Sequence, residues 1–242
     1  MEMATVFNNL ISLLTLLFLE IILGIDNLIF VSIASSRLPV EQQPGARRFG
    51  LLLALFTRLL LLAAVSWLAR FTVPLFSIAD FAVSGRDLLM FFGGLFLLYK
   101  ATLEIHSEFD HLEKDIATKK ASTNFILVIT QIAILDIVFS LDSVMTAVGM
   151  TQQYWIMATA ITLSIIVMII SSEPLSAFIE KNPSIKMLAV SFILMVGMIL
   201  IADGIHFHVP REYIYFAISF SLFVEVLNLS LRKKRRLKQD KN

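Results

Sequence analysis

The chain has 242 residues, 57% of them hydrophobic and 16% charged, with a formal net charge of +1. Soluble domains carry about 25% charged residues; the deficit, with several apolar runs near the ~20 residues that cross a bilayer, excludes an ordinary soluble domain. There is no cysteine, which excludes disulfides and thiolate metal ligands and leaves oxygen and imidazole donors.

Seven hydrophobic spans are predicted, at about 7–33, 50–69, 87–103, 124–148, 154–170, 186–202 and 212–231. The N-terminus MEMATVFNNL lacks the basic stretch that opens a cleavable signal, so the first span is expected to stay as a helix. Arg58 lies inside the second span and Lys100 inside the third. The fifth opens with Tyr154-Trp155, an interfacial pair.

Lysine and arginine placement predicts the orientation. With the N-terminus outside, the inside segments hold Arg37, Arg47, Arg48, Lys114, Lys119, Lys120, Lys181, Lys186 and seven more from Arg232 to Lys241, fifteen in all. The outside loops hold three, Arg70, Arg86 and Arg211. The N-terminus is therefore expected outside and the C-terminus in the cytoplasm. The tail LRKKRRLKQDKN reads as a stop-transfer flank that meets anionic lipid headgroups, not nucleic acid.

One pattern occurs twice. LEIILGIDNLIFV at 19–31 and LDIVFSLDSVMTA at 135–147 superpose at an offset of 116. Glu20 then meets Asp136, Gly24 meets Ser140, Asp26 meets Asp142 and Asn27 meets Ser143. A weaker match sets Gly94-Leu-Phe-Leu-Leu beside Gly197-Met-Ile-Leu-Ile. The expected organisation is a first three-helix repeat at 1–105, a cytoplasmic linker at 106–122, a second repeat at 123–205, a seventh helix at 206–231 and a basic tail at 232–242. Three spans per unit is odd, so the second unit enters the membrane in the opposite sense. The fold class is thus all-α, a 3+3 inverted-topology repeat plus one extra helix.

A carboxylate at a helix centre costs about 2.5–3.5 kcal/mol on the insertion scale, so Glu20, Asp26, Asp136 and Asp142 require a reason. Glu20 and Asp26 are six apart and do not share a face of a straight helix. Gly24 and Ser140, between the paired acids, are hinge candidates, where unwinding would bring both acids to one site and free carbonyls as ligands. Glu20, Asp26, Asn27, Asp136, Asp142 and Ser143 are expected to line one mid-membrane cavity. Such donors suit manganese, calcium or magnesium better than copper or zinc. The competing reading makes each acid a structural ion pair or helix–helix hydrogen bond. Arg58 and Lys100 are the candidate counter-charges. Glu225 and Asn228, three apart on the seventh span, share a face and are candidates for a further ligand or proton path. Asp87 opens the third span as a first-turn acid or else joins the cavity. His106 and His111 with Glu104, Glu108, Asp110 and Glu113, and His206 and His208 with Asp203, belong to solvated loops or to the mouths of the path. There is no phosphate-binding glycine loop, no His-x-x-x-His pair and no nucleophile elbow, so an enzyme is not expected.

The segments 19–30 and 135–144 resemble the twin signature of TerC-type integral membrane proteins. The stretch from His208-Val209-Pro210 to Tyr215 and the Glu225–Asn228 element resemble its stand-alone YgdQ-type branch. The resemblance implies export of manganese, and perhaps other divalent cations, through the motif acids Glu20, Asp26, Asp136 and Asp142, with Asn27 and Ser143 beside them. It implies a divalent cation as substrate and no organic cofactor. The metal ion and the bilayer are the expected partners, with no protein partner or oligomeric state assigned. A non-transporting membrane scaffold that binds metal or a partner, and an exporter of a small organic solute, are the rival readings.

Overall fold

Helices that are apolar on every side have no stripe for water, and in lipid each backbone N–H and C=O must be satisfied inside its own segment. Long helices follow from that demand. A computed structural model describes residues 2–64, 74–78, 81–113, 124–151 and 153–239. Among them are seven helices: α1 (Glu2–Ser35), α2 (Gln43–Ala63), α3 (Gly85–Glu113), α4 (Phe125–Met150), α5 (Tyr154–Lys181), α6 (Pro183–Gly204) and α7 (Arg211–Gln239). Stretches of α1, α3, α5 and α6 are long and apolar enough to cross a membrane, and α4 and α7 carry shorter apolar segments.

The helix starts are written locally. The Asn124 side chain accepts a hydrogen bond from the Ile126 amide at 3.0 Å, and prolines occupy the first turns of α2 and α6, where a missing N–H costs nothing. Before α3, the Ser84 hydroxyl accepts from the Asp87 amide at 3.2 Å while Asp87 Oδ2 accepts from the Ser84 amide at 2.8 Å. This is a reciprocal capping box, with aspartate as the acid.

The all-α class holds among the described residues; a short antiparallel pair, β1 (Pro74–Ile78) and β2 (Phe81–Ser84), precedes α3. Pro74 cannot continue a helix, and the aromatic and β-branched residues after it suit a strand pair. Three expectations are revised. Helix α3 is one of the longer helices, not a short span, because the polar residues from His106 to Glu113 extend it beyond its apolar part. The first half of the expected linker is therefore helical, and 114–123 lie outside the described residues. Finally, α1 and α4 run through Gly24 and Ser140 as continuous helices, so the expected unwinding is absent. Glu20 and Asp26 accordingly face different surroundings.

Packing pairs α3 with α6 most extensively, α1 with α5, and α2 with α4; α1 also meets α4, α2 meets α5, and α7 packs chiefly on α6. Glycines set the closest approach. A Cβ on Gly94 of α3 would stand 2.5 Å from the Gly197 carbonyl oxygen of α6, and one on Gly197 3.0 Å from the Gly94 oxygen. Each obstacle is backbone and cannot move aside. Gly94→Ala is therefore expected to push α3 and α6 apart at a cost of about 1–3 kcal/mol, read as a lower melting midpoint in detergent. Gly45→Ala, with nothing within 4 Å of the added carbon, should leave the midpoint unchanged. Equal midpoints for both variants would show that the contact is not tight.

Candidate functional site

Three charged side chains meet in the apolar interior: Glu20 of α1, Arg58 of α2 and Asp136 of α4, which are 2%, 1% and 5% exposed. Their helices are held together by the α1–α4, α1–α2 and α2–α4 contacts. Arg58 Nη1 donates to Glu20 Oε2 at 2.9 Å. Its Nη2 and Nε donate to Asp136 Oδ1 at 2.9 and 3.2 Å. The second Asp136 oxygen accepts from Thr57 Oγ1 and from Ser140 Oγ, each at 3.1 Å. Asn27 Nδ2 lies 3.4 Å from Asp136 Oδ1. With all three ionised, the centre carries one negative charge more than it neutralises. Its walls include Phe30, Leu135, Phe139 and Met168, so the charges act through a poorly screening medium.

Gly24 has a packing role. A Cβ there would fall 1.9 Å from Cε of Met168, so the absent side chain is the space that this methionine of α5 occupies. Ser140, its counterpart, holds Asp136 one turn back on the same helix.

Beside the centre lies a cleft lined by Asp26, Asn27, Arg58, Phe139 and Ser143 and closed by residues of α6 and by Ile214 of α7. Asp26 is half-buried. Ser143 is buried, and its hydroxyl donates to the Ser140 carbonyl at 3.2 Å. Asn27 Oδ1 is buried with no hydrogen-bond partner among the described residues. A buried unsatisfied amide oxygen costs about 1–3 kcal/mol, and at the edge of a cleft it is an acceptor available to a cation or water.

The structure thus gathers Glu20, Arg58, Asp136, Asn27 and Ser140, and sets Asp26 and Ser143 on the adjoining cleft. The Asp142 side chain lies outside the described residues, as do those of Glu108, Asp110, His111 and Glu113. Lys100 is no counter-charge here; it belongs to a different pocket, with its ammonium 5.6 Å from the Phe96 ring centroid. Glu225 and Asn228 face each other at 3.4 Å on α7, with Asn228 exposed. Asp87 caps α3 and also meets His206 Nε2 at 3.0 Å; Asp203 meets His208 Nδ1 at 3.2 Å. Among the described residues no group of three or more acidic or imidazole side chains is arranged to hold a metal.

Two features escape a sequence reading. Thr57 carries no signal beyond its place next to Arg58. The second is the ion-pair cluster around Glu104, a residue expected in a solvated loop or path mouth but only 6% exposed; it accepts from Arg37 Nε at 2.8 Å and lies 3.5 Å from Lys186 Nζ, and three distant segments supply the members.

A buried charge cluster inside long apolar helices defines a helical membrane protein. The chain belongs to the integral membrane protein TerC family, whose model matches residues 7–240. It is 46% identical to the UPF0053 inner membrane protein YgdQ of Escherichia coli, over 95% of this chain and 96% of that protein. It is 45% identical to a UPF0053 protein of Haemophilus influenzae, over 92% and 94%. The UPF0053 inner membrane protein YoaE of Escherichia coli is 48% identical over 91% of this chain, but the match spans only 43% of YoaE. The chain therefore covers less than half the length of that relative. No solved structure matches.

Proposed function

We propose that this protein exports divalent metal cations across the inner membrane, with manganese the favoured ion and calcium a second candidate. It is read as a transporter, not an enzyme. The observation that carries the reading is the excess negative charge of the Glu20–Arg58–Asp136 centre next to a cleft that presents Asp26, Asn27 and Ser143. A cation in the cleft is attracted by Asp136 and Asp26 and repelled by Arg58. Binding would therefore draw the carboxylates toward the ion and loosen the guanidinium, coupling occupancy to the packing of α1, α2 and α4. All the donors on the cleft are oxygen, the preference of hard divalent cations.

The rearrangement is read as that of an inverted repeat, α1–α3 against α4–α6, in a seven-span protein with its N-terminus outside. Exchanging the two sets maps the α1–α5 contact onto α2–α4 and the α1–α6 contact onto α3–α4. It also maps Gly94 onto Gly197, and Glu20 onto Asp136, at the points where those residues meet or share Arg58. Arg58 lacks a basic counterpart at the matching place in α5, where Pro174 stands. The centre is therefore asymmetric, with one cation for two related acids.

The test is manganese content in cells lacking their own exporters. Expression of the wild type is expected to lower it, and Asp26→Asn and Asp142→Asn are expected to abolish most of that effect. If the wild type leaves manganese, calcium, magnesium and zinc unchanged, the transport reading fails and a scaffold remains. Full activity in both variants would move the ion path elsewhere.

A further inference from the structure

The geometry points to a binding site for an anionic phospholipid in the pocket around Lys100. This pocket is separate from the three-charge centre. Its walls are apolar, with Ile33 of α1 and Val190 and Ile193 of α6 among them, and its polar lining includes Arg37, Lys100 and Glu104. Lys186 joins through its ion pair with Glu104. Three cations therefore surround one carboxylate.

The partners are unequally shared. Glu104 is buried and taken by Arg37 and Lys186. Lys100 makes no hydrogen bond or ion pair among the described residues; its ammonium rests over the Phe96 ring. Arg37, Lys100 and Lys186 less Glu104 leave the group a net charge of +2, and Lys100 is poised for an anion. The exposed Tyr99 and Leu103 beside it on α3 suit an acyl chain, which free phosphate lacks. Basic pockets between membrane helices are the sites where acidic headgroups are held. With the N-terminus outside, these residues face the cytoplasmic leaflet, where anionic lipids concentrate. A phosphate between Lys100 and Arg37 would offset one of the two excess positive charges, with its glycerol and acyl segments along the exposed Tyr99 and Leu103 of α3.

The proposal is tested by native mass spectrometry of the full chain in detergent, titrated with dioleoyl phosphatidylglycerol or dioleoyl phosphatidylcholine, and with inorganic phosphate as competitor. The wild type is expected to retain one phosphatidylglycerol in preference to phosphatidylcholine. Lys100→Gln should weaken that binding about five- to tenfold, since each basic residue near a headgroup is worth about 1 kcal/mol. Lys100→Arg should restore it, which separates charge loss from misfolding. A variant with Lys233, Lys234, Arg235 and Arg236 all changed to Gln should keep the tight lipid. Unchanged binding in Lys100→Gln, loss in the tail variant instead, or displacement of the lipid by inorganic phosphate would each overturn the proposal.

Discussion

Arg58→Met is expected to destabilise the folded protein by about 3–5 kcal/mol, the usual cost of removing one partner from a buried ion pair. The arginine is 1% exposed and is the cation that Glu20 and Asp136 share. The damage is unequal between the two acids. Asp136 keeps Thr57, Ser140 and Asn27 as donors, whereas Arg58 is the donor seen on Glu20. Glu20 is thus left as a buried anion in an apolar wall, with proton uptake as its escape. The melting midpoint in detergent should fall, and the loss should be smaller in the double variant Arg58→Met/Glu20→Leu. In the triple variant Arg58→Met/Glu20→Leu/Asp136→Leu, stability should return to the wild-type level or above, because well-packed apolar replacements of buried ion pairs are neutral or stabilising. Transport should be absent from the triple variant. A triple variant that both folds and transports would remove the centre from the mechanism. An Arg58→Met midpoint equal to that of the wild type would mean that the acids are already neutral in the folded state.

The acids were legible in the sequence because their cost in an apolar segment is high and their pattern repeats. Their partners were another matter. The spans carry apolar residues on nearly every face, so periodicity does not fix how far each helix is turned. Whether Arg58 faced α1, α4 or both had no sequence signature, and Lys100 looked like an equal candidate for the same role. The mistaken hinge at Gly24 has a similar source. A glycine between two acids suggests bending, but whether a helix opens there depends on what packs against it, and Met168 comes from a segment 144 residues away. The capping box at Ser84 and Asp87, by contrast, was present as a local Ser-x-x-Asp pattern. The sequence reading took only half of it, Asp87 as the first-turn acid of the third span. The separation of Asp26 from Glu20 followed from helical spacing alone. Once the helix is known to be continuous, that spacing places one acid in the ion-paired centre and the other on the cleft.

Asp136→Asn should fold and yet lose most transport. The substituted amide keeps the size of the carboxylate: its oxygen, in the place of Oδ1, can still accept from Arg58, and its NH2, in the place of Oδ2, can donate to the Thr57 and Ser140 hydroxyl oxygens, so the change removes charge more than packing. Glu20 and Arg58 then balance each other, and the excess negative charge that attracts a cation is gone. One unit charge at about 4 Å and an effective dielectric near 20 is worth about 4 kcal/mol, and a divalent ion feels twice the field effect. Screening and relaxation reduce this, so a loss of at least about tenfold in cation affinity is a conservative expectation. Reconstituted vesicles with a manganese-quenched fluorophore inside would measure it, with the wild type, Asp136→Asn and Glu20→Gln at equal protein content. Glu20→Gln removes the same charge, from the far side of the guanidinium, and leaves Arg58 to pair with Asp136 alone. It should therefore impair transport as well, by tightening the arginine's hold on Asp136. Wild-type uptake in Asp136→Asn would sink the electrostatic account of the site. Wild-type uptake in Glu20→Gln alone would confine the ion path to the Asp136 side, with Arg58 as a fixed wall and not a displaced counter-ion.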